Sequence, residues 1–215
     1  MRIVDDFLVK TNIASCKSFR DTADMISAAR AEGLPVSCDV TINHLHLTDI
    51  DIGYFNAAMR LTPPLRQVRD RDALRAGLSD GTIDALVSDH MPVDADAKTL
   101  PFAEAEPGAT GLELLLGLAL KWGEESGHDL GRTLATITAS PVRVPGEALG
   151  SLASSAGRLV EGGVADLCLF DPAGYWRVTP QALKSQGKHT PFAGHELAGC
   201  VKYTVVSGHV AFEAA

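Results

Sequence analysis

The sequence predicts an α/β protein, a partial TIM-like (β/α) barrel followed by a small C-terminal β-sandwich segment. Helical and strand-like patterns alternate from Phe19 to Val87, as they do in successive βα units. The last of these strand-like runs is followed at once by the polar pair Asp89-His90, and barrels of this type carry their chemistry at the carboxyl ends of their strands. From Gly157 onward, short β-type runs replace the helical patterns.

The first elements follow from hydrophobic periodicity and from the residues at their boundaries. Ser18 suits the start of a helix, and Gly33 suits its end. The pair Pro63-Pro64 indicates a loop, because proline is excluded from helix interiors. In chain order, the predicted elements are a helix over residues 19–32, a strand over 34–40, a loop over 41–66, a helix over 70–78 and a strand over 83–87.

The second half of the chain begins with two predicted helices and ends with strands. The helices cover residues 111–125 and 130–139, and Pro141 is expected to end the second one. The predicted strands cover residues 165–170, 201–206 and 209–212. We therefore expect two domains, a partial barrel over residues 1–150 and a β segment over residues 151–215. A closed barrel needs eight strands, whereas this one shows two or three, so we expect about half of such a protein.

Composition and charge exclude several functional classes. The 215 residues are 46% hydrophobic and 21% charged, which suits a folded domain with a sizeable core. The net charge of -8 argues against a nucleic-acid partner, because no basic patch is available to neutralise phosphates. No apolar run approaches the roughly 20 residues of a membrane span, and residues 1–10 lack the apolar core of a signal peptide.

The cysteines indicate a reducing compartment. They are widely spaced and form no C-x-x-C pair, so neither a disulfide framework nor a zinc knuckle is expected. They are Cys16, Cys38, Cys168 and Cys200. Together with the missing signal peptide, this pattern predicts a cytoplasmic protein without a membrane anchor.

The pair Asp89-His90 is the first candidate for chemistry. A carboxylate and an imidazole directly after a buried strand suit a site for proton transfer or metal binding. The alternative is structural, because Asp-His-x-Pro is also an ordinary way to open a turn. The sequence pattern by itself leaves both interpretations open.

The residues around this pair resemble the last barrel strand and the following loop of dihydroorotases, the cyclic amidohydrolases of pyrimidine synthesis. The resemblance rests on the order Ser88-Asp89-His90-x-Pro92, Lys98, Pro101-Phe102, Pro107-Gly108 and Gly111-Leu112-Glu113. It extends upstream to Asp39-Val40-Thr41 and Pro63-Pro64-Leu65-Arg66, and downstream to Gly162-Gly163-Val164-Ala165-Asp166, Thr190-Pro191-Phe192 and Thr204-Val205-Val206-Ser207-Gly208. In total it runs from about Cys16 to the end of the chain.

The resemblance implies zinc as the cofactor and specific roles for four residues. Asp89 matches the family's metal-binding carboxylate, which takes a proton from the attacking water and passes it to the leaving nitrogen. Asn43, Thr62 and Gly108 match positions that contact the substrate. The His-x-His pair that opens the family's metal site lies in its amino-terminal half, which has no counterpart in this chain.

Other positions depart from the family's pattern. Cys16 stands where the family carries a zinc-binding histidine, so the implied metal site is incomplete. Thr62 replaces an asparagine, and Asn43 replaces the first histidine of a His-His pair. The spacing His44-Leu45-His46 falls in the predicted loop, where we interpret both residues as loop or core histidines.

Three functions are compatible with this resemblance. The first is the reversible hydrolysis of dihydroorotate to N-carbamoyl-aspartate, with the chain inactive by itself. The second is a non-catalytic role as a dihydroorotase-like structural partner of aspartate transcarbamoylase, which the missing ligands favour. The third is an allantoinase-like or hydantoinase-like activity. Because unpaired strand edges expose backbone donors and acceptors, we also expect a homo-oligomer or a complementing chain.

Overall fold

Three parallel strands and their connecting helices form the first part of the protein. The computed structural model describes residues 9–12, 19–145, 148–150 and 155–214, and side chains from residue 24 onward within these ranges. The elements in order are β1 Val9–Asn12, α1 Phe19–Ala31, β2 Val36–Thr41, α2 Ile42–His46, α3 Val68–Asp80 and β3 Ala85–Val87. Strand β2 lies between β1 and β3, and both pairings are parallel. The α/β alternation predicted from the sequence is therefore confirmed.

Burial does not alternate along the central strand β2, where residues 37–41 are all buried. Cys38 and Val40 of β2 are buried, as are Ala85 and Leu86 of β3. Helices cover the faces of a parallel sheet, so its strands lose the alternation that a solvent-facing sheet would show. The polar residues of β2 are buried as well, and Asp39 is the one among them that can carry a charge, with only 4% of the residue exposed.

The predicted loop over residues 41–66 was wrong in part, since it contains α2 and two short 3-10 helices, Asp49–Ile52 and Ala57–Met59. Helix α2 begins because the Thr41 side chain accepts a hydrogen bond from the His44 backbone N–H, which satisfies a donor that the helix start leaves free. The histidines of the His44-Leu45-His46 spacing therefore lie on a helix and not in a loop.

Helices α4 to α6 and an antiparallel sheet follow. The elements are α4 Leu115–Glu125, α5 Leu130–Ala135, α6 Ala139–Arg143, β4 Leu167–Arg177, β5 Glu196–Val206 and β6 His209–Glu213. Strand β5 lies between β4 and β6 in one antiparallel sheet. Helix α4 packs closely on β5, where a Cβ added to Gly117 would lie 2.8 Å from the Leu197 Cβ atom.

The predicted helix over residues 130–139 was wrong, because it is divided into α5 and α6. At the break, the backbone N–H groups of residues 136–138 donate to carbonyls three residues earlier. The Thr136 and Thr138 hydroxyls donate to carbonyls of α5, and such side-chain bonds compete with helix continuation. Pro141 does not end a helix but lies in the first turn of α6, where proline is tolerated. The helix predicted from residue 111 starts with a 3-10 turn, Leu112–Leu114.

Strand β4 continues beyond its predicted end at residue 170, through Pro172 and Gly174 to Arg177. The register with β5 shifts between Asp171 and Tyr175. Such an irregularity accommodates a proline that could not donate to a regular ladder.

Two compact units can be distinguished. One comprises residues 1–115 with 184–191, and the other comprises residues 116–183 with 192–215. The predicted domain division at residue 150 stays a prediction, because spatial grouping is not a test of independent folding. None of the described helices is both long and apolar enough to span a membrane.

Candidate active site

Asp89 follows β3 at the carboxyl end of the parallel sheet, and its side chain is half-buried. Its backbone φ of 48° lies in the left-handed region, which residues other than glycine adopt infrequently. Such conformations concentrate at functional sites, where the surroundings hold them in place. Both the position and the backbone of Asp89 therefore favour a site over an ordinary turn.

Two polar side chains surround the Asp89 carboxylate. The Asn43 side chain from α2 hydrogen-bonds to it, and the buried Asp39 carboxylate of β2 lies close enough to interact with it. Burial raises the pKa of the Asp89 carboxyl, the Asn43 hydrogen bond lowers it, and the negative charge of Asp39 raises it further. The structure thus brings the predicted residues Asp89 and Asn43 together, and it adds Asp39.

His44, the neighbour of Asn43, is part of the core. It is 1% exposed, with its Nδ1 atom 2.8 Å from the Thr41 hydroxyl and its Nε2 atom 3.1 Å from the Pro63 carbonyl oxygen. A carbonyl oxygen can only accept, so Nε2 carries the proton and Nδ1 accepts from Thr41. Burial lowers the pKa of His44, while the carbonyls of Pro63 and Pro64 act in the opposite direction.

This arrangement predicts a pH dependence of stability. The folded-state pKa of His44 lies below its ordinary value of 6.5, so the unfolded chain takes up a proton at a higher pH than the folded protein does. Above pH 6.5, neutral His44 therefore makes its full contribution to the stability of the folded protein. This contribution is lost as the pH falls toward the folded-state pKa of His44. We expect urea titrations to show a loss of up to about 1.4 kcal/mol per pH unit that His44→Gln lacks. Parallel pH profiles for the two proteins would contradict this.

His90 holds the start of the next helix. Its Nδ1 atom accepts hydrogen bonds from the backbone N–H groups of Gly111 and Leu112, each at 3.2 Å. Gly111 is required there, because an added Cβ would lie 2.4 Å from the Ser88 carbonyl oxygen. The Asp-His pair thus serves two purposes, since Asp89 faces the site and His90 fixes the loop that follows it.

Gly108 and Thr62 lie on two loops that meet at Arg60. Gly108 is buried with φ = 139°, and a Cβ there would lie 2.6 Å from the Met91 carbonyl oxygen. Its N–H donates to the Arg60 carbonyl oxygen at 3.0 Å. Thr62 follows two residues after Arg60 and is exposed. The structure thus anchors Gly108 beside the segment that carries Thr62, which leaves the predicted substrate contacts of both residues as predictions.

Residues 184–191 pack on the loop that follows Asp89. The Glu113 carboxylate accepts hydrogen bonds from the backbone N–H groups of Lys184 and Ser185, at 2.6 and 2.7 Å. Thr110 donates its hydroxyl to the Gly187 carbonyl oxygen at 2.6 Å and its N–H to the His189 carbonyl oxygen at 2.8 Å. Glu113 of the Gly-Leu-Glu motif therefore positions the backbone at residues 184 and 185.

The described side chains do not provide a complete zinc site. No group of three or more His, Cys, Asp or Glu residues able to hold a metal occurs among them, whereas zinc takes three or four protein ligands. Both ring nitrogens of His44 have protein partners. Burial, with Asp84 nearby, raises the pKa of Cys38 to about 11, so this thiol stays protonated at neutral pH. Cys16 lies outside the described residues.

Comparison with known proteins identifies the family. The sequence pattern of the amidohydrolase family matches residues 7–211. The chain belongs to the amidohydrolase family. A "Dihydroorotase-like protein" from Pseudomonas aeruginosa is 39% identical over 98% of this chain and 48% of its own length. A "Dihydroorotase" from Citrifermentans bemidjiense is 36% identical over 90% of this chain and 44% of its own length.

A solved amidohydrolase structure confirms the fold. The L-hydantoinase (dihydropyrimidinase) from Arthrobacter aurescens superposes with a TM-score of 0.80 at 29% identity, covering 90% of this chain and 43% of the hydantoinase. The predicted partial barrel with a C-terminal β segment is thereby confirmed, as is the resemblance to dihydroorotases. This amidohydrolase chain spans about half the length of the relatives that it matches.

Sequence reasoning missed part of the amidohydrolase site. The motif Asp39-Val40-Thr41 does not single out Asp39, although a carboxylate in a strand expected to be buried is itself a signal, since buried charges need a partner or a function. The contacts of the Glu113 carboxylate with backbone N–H groups had no such signal, because a surface anion is the ordinary expectation for a glutamate.

Proposed function

We propose that this chain is a dihydroorotase-like cyclic amidohydrolase that binds dihydroorotate and N-carbamoyl-aspartate and is inactive by itself. The carboxylate of Asp89 carries the proposal, because it is half-buried at the strand end, held by Asn43 and placed beside Asp39. In ring opening, water adds to the amide carbonyl carbon and the C–N bond breaks. In a site completed by ligands beyond the described side chains, Asp89 would take the proton from the water and give it to the departing nitrogen.

The environment of Asp89 suits this proton transfer. A general base works best when its pKa lies near the working pH, and both burial and Asp39 raise the pKa of Asp89. The relatives named as dihydroorotases support the choice of substrate. We infer that the chain is inactive by itself because zinc would need ligands beyond the described side chains. We place the protein in the cytoplasm on the basis of its unpaired cysteines, Cys38, Cys168 and Cys200.

The test combines zinc content, turnover and ligand binding. Elemental analysis of the purified chain is expected to show less than one zinc per chain, with dihydroorotate hydrolysis no faster than that of Asp89→Asn. N-carbamoyl-aspartate is expected to bind and to slow amide hydrogen exchange after β3. Stoichiometric zinc with Asp89-dependent turnover would overturn the proposal that the chain is inactive by itself. Binding of allantoin or a hydantoin in place of N-carbamoyl-aspartate would overturn the proposed substrate class.

A second function is a structural partnership with aspartate transcarbamoylase. Two observations favour it, the incomplete set of zinc ligands among the described side chains and the 39% identity to a protein named only "Dihydroorotase-like". Affinity purification with aspartate transcarbamoylase from the same organism, followed by light scattering, tests it. A stable joint complex that forms without any binding of N-carbamoyl-aspartate would favour the partnership over the first proposal. A homo-oligomer that excludes the transcarbamoylase would contradict it.

A further inference from the structure

Lys98 joins the two loops that carry Thr62 and Gly108. Its Nζ atom donates to the carbonyl oxygen of Arg60 at 2.9 Å and to the carbonyl oxygen of Glu106 at 2.6 Å. These acceptors belong to segments 38 and 8 residues away along the chain. The ammonium group has three donors and no acceptor, so a single side chain satisfies backbone carbonyls from both loops.

The Arg60 carbonyl oxygen is the common point of this junction. It accepts from Lys98 and also from the Gly108 N–H, at 2.9 and 3.0 Å. The Arg60 guanidinium carbon lies 5.8 Å from the centre of the Phe102 ring, which adds a cation–π contact between the same two loops. Lys98 is therefore one of three contacts, and the fold does not depend on it alone.

The surroundings of Lys98 differ from those of a solvated lysine. Its side chain is half-buried, and burial lowers its pKa, as does the positive charge of Arg60, while Glu106 acts in the opposite direction. Placing a cation in a half-buried position near another cation costs free energy. Two short bonds to backbone carbonyls offset that cost, which ties the side chain to one geometry.

We propose that Lys98 is a positioning residue that holds the Gly108 turn against the Arg60–Thr62 segment. The inference rests on the proposed function only in its last step, the assignment of Thr62 and Gly108 to the substrate. Its structural claim is that the order of the Gly108 turn depends on the Lys98 ammonium group. Without that group, the turn would open more often while the rest of the chain stays folded.

Amide hydrogen exchange of Lys98→Met tests this claim, because methionine keeps an unbranched stem and removes the donors. The Gly108 amide, which bonds to Arg60, is expected to exchange at least roughly tenfold faster. The Thr110 amide, which bonds to the His189 carbonyl oxygen, is expected to stay unchanged. Lys202→Met is the matched control, since Lys202 is exposed on β5 and its loss is expected to leave both amides unaffected.

Binding of N-carbamoyl-aspartate to the same variants then tests the functional step. If the wild type binds this ligand, Lys98→Met is expected to weaken binding at least about fivefold with an unchanged Tm, and Lys202→Met is expected to have no effect. Unchanged exchange at Gly108 would overturn the structural claim, and faster exchange with unchanged affinity would overturn the positioning role. If the wild type does not bind the ligand, the substrate proposal fails, and the exchange rates alone decide whether Lys98 holds the turn.

Discussion

Replacing Trp122 with alanine is expected to lower the free energy of unfolding by about 3–5 kcal/mol. Trp122 lies on α4, is fully buried and packs 4.9 Å from the His128 ring, measured between ring centres. Truncation removes its buried apolar area and leaves a cavity that the surrounding backbone cannot fill. Since domains are stable by only about 5–15 kcal/mol, urea denaturation should show a much earlier transition.

Trp122→Phe is the informative control. The indole N–H is buried without a partner in the part of the chain that the structure describes, and an unmet donor of this kind costs about 1–3 kcal/mol. Phenylalanine removes that donor and keeps most of the ring contacts, so we expect less than half of the loss seen for alanine. Equal losses of unfolding free energy in the two variants would show that the ring contacts are not the main source of the stability that Trp122 provides.

Replacing Gly111 with alanine is expected to destabilise the protein by about 1–3 kcal/mol and to displace the loop that carries Asp89. The added Cβ would lie 2.4 Å from the Ser88 carbonyl oxygen, a backbone atom that no rotamer change can move. Relief requires Gly111 to shift, which breaks the hydrogen bond from its N–H to His90. Urea denaturation measures the stability, and chemical-shift changes at Ser88 and Asp89 report the displacement.

Gly77→Ala provides the comparison for this effect. Gly77 is also buried, but the atoms nearest to an added Cβ belong to the Ile83 side chain, at 3.2 Å. A flexible side chain can yield by a few tenths of an ångström, and alanine favours the helical backbone of α3 by about 0.5–1 kcal/mol. We expect near-neutral stability for Gly77→Ala. A similar loss for both variants would contradict the assignment of the effect to Ser88.

Sequence patterns predicted the parts of the fold that depend on local periodicity and burial. Strand β3 was found because its residues form a short apolar run before a polar pair, and β2 and α3 were found because turn residues bound segments of strand and helix character. Helix α2 was not found, because its five residues are too few for a period and its start depends on a single Thr41 contact. The division between α5 and α6 coincides with bonds from the Thr136 and Thr138 hydroxyls to backbone carbonyls, an acceptor choice that the sequence does not show.

The sequence predicted the order of the site residues along the chain but not which of them lie close together in space. Motif order identified Asp89, but the approach of Asn43 and Asp39 depends on the pairing of β2 with β3, where Asp39 is the register partner of Ala85. Likewise, nothing local in the sequence indicates that Lys98 would bond to Arg60, 38 residues earlier. Long-range contacts of this kind are fixed by the packed fold and not by residue type.

The hydrogen bonds of residues 184–191 also determine when the site can form. Glu113 reaches the N–H groups of Lys184 and Ser185 across 71 and 72 residues, and Thr110 reaches Gly187 across 77. Closing such long loops is slow compared with forming local helices. During synthesis, the loop after Asp89 therefore acquires its final anchor, the His189 carbonyl oxygen, only after residue 189 has left the ribosome. Until then, the chain has its Asp89 carboxylate but not a fixed site around it.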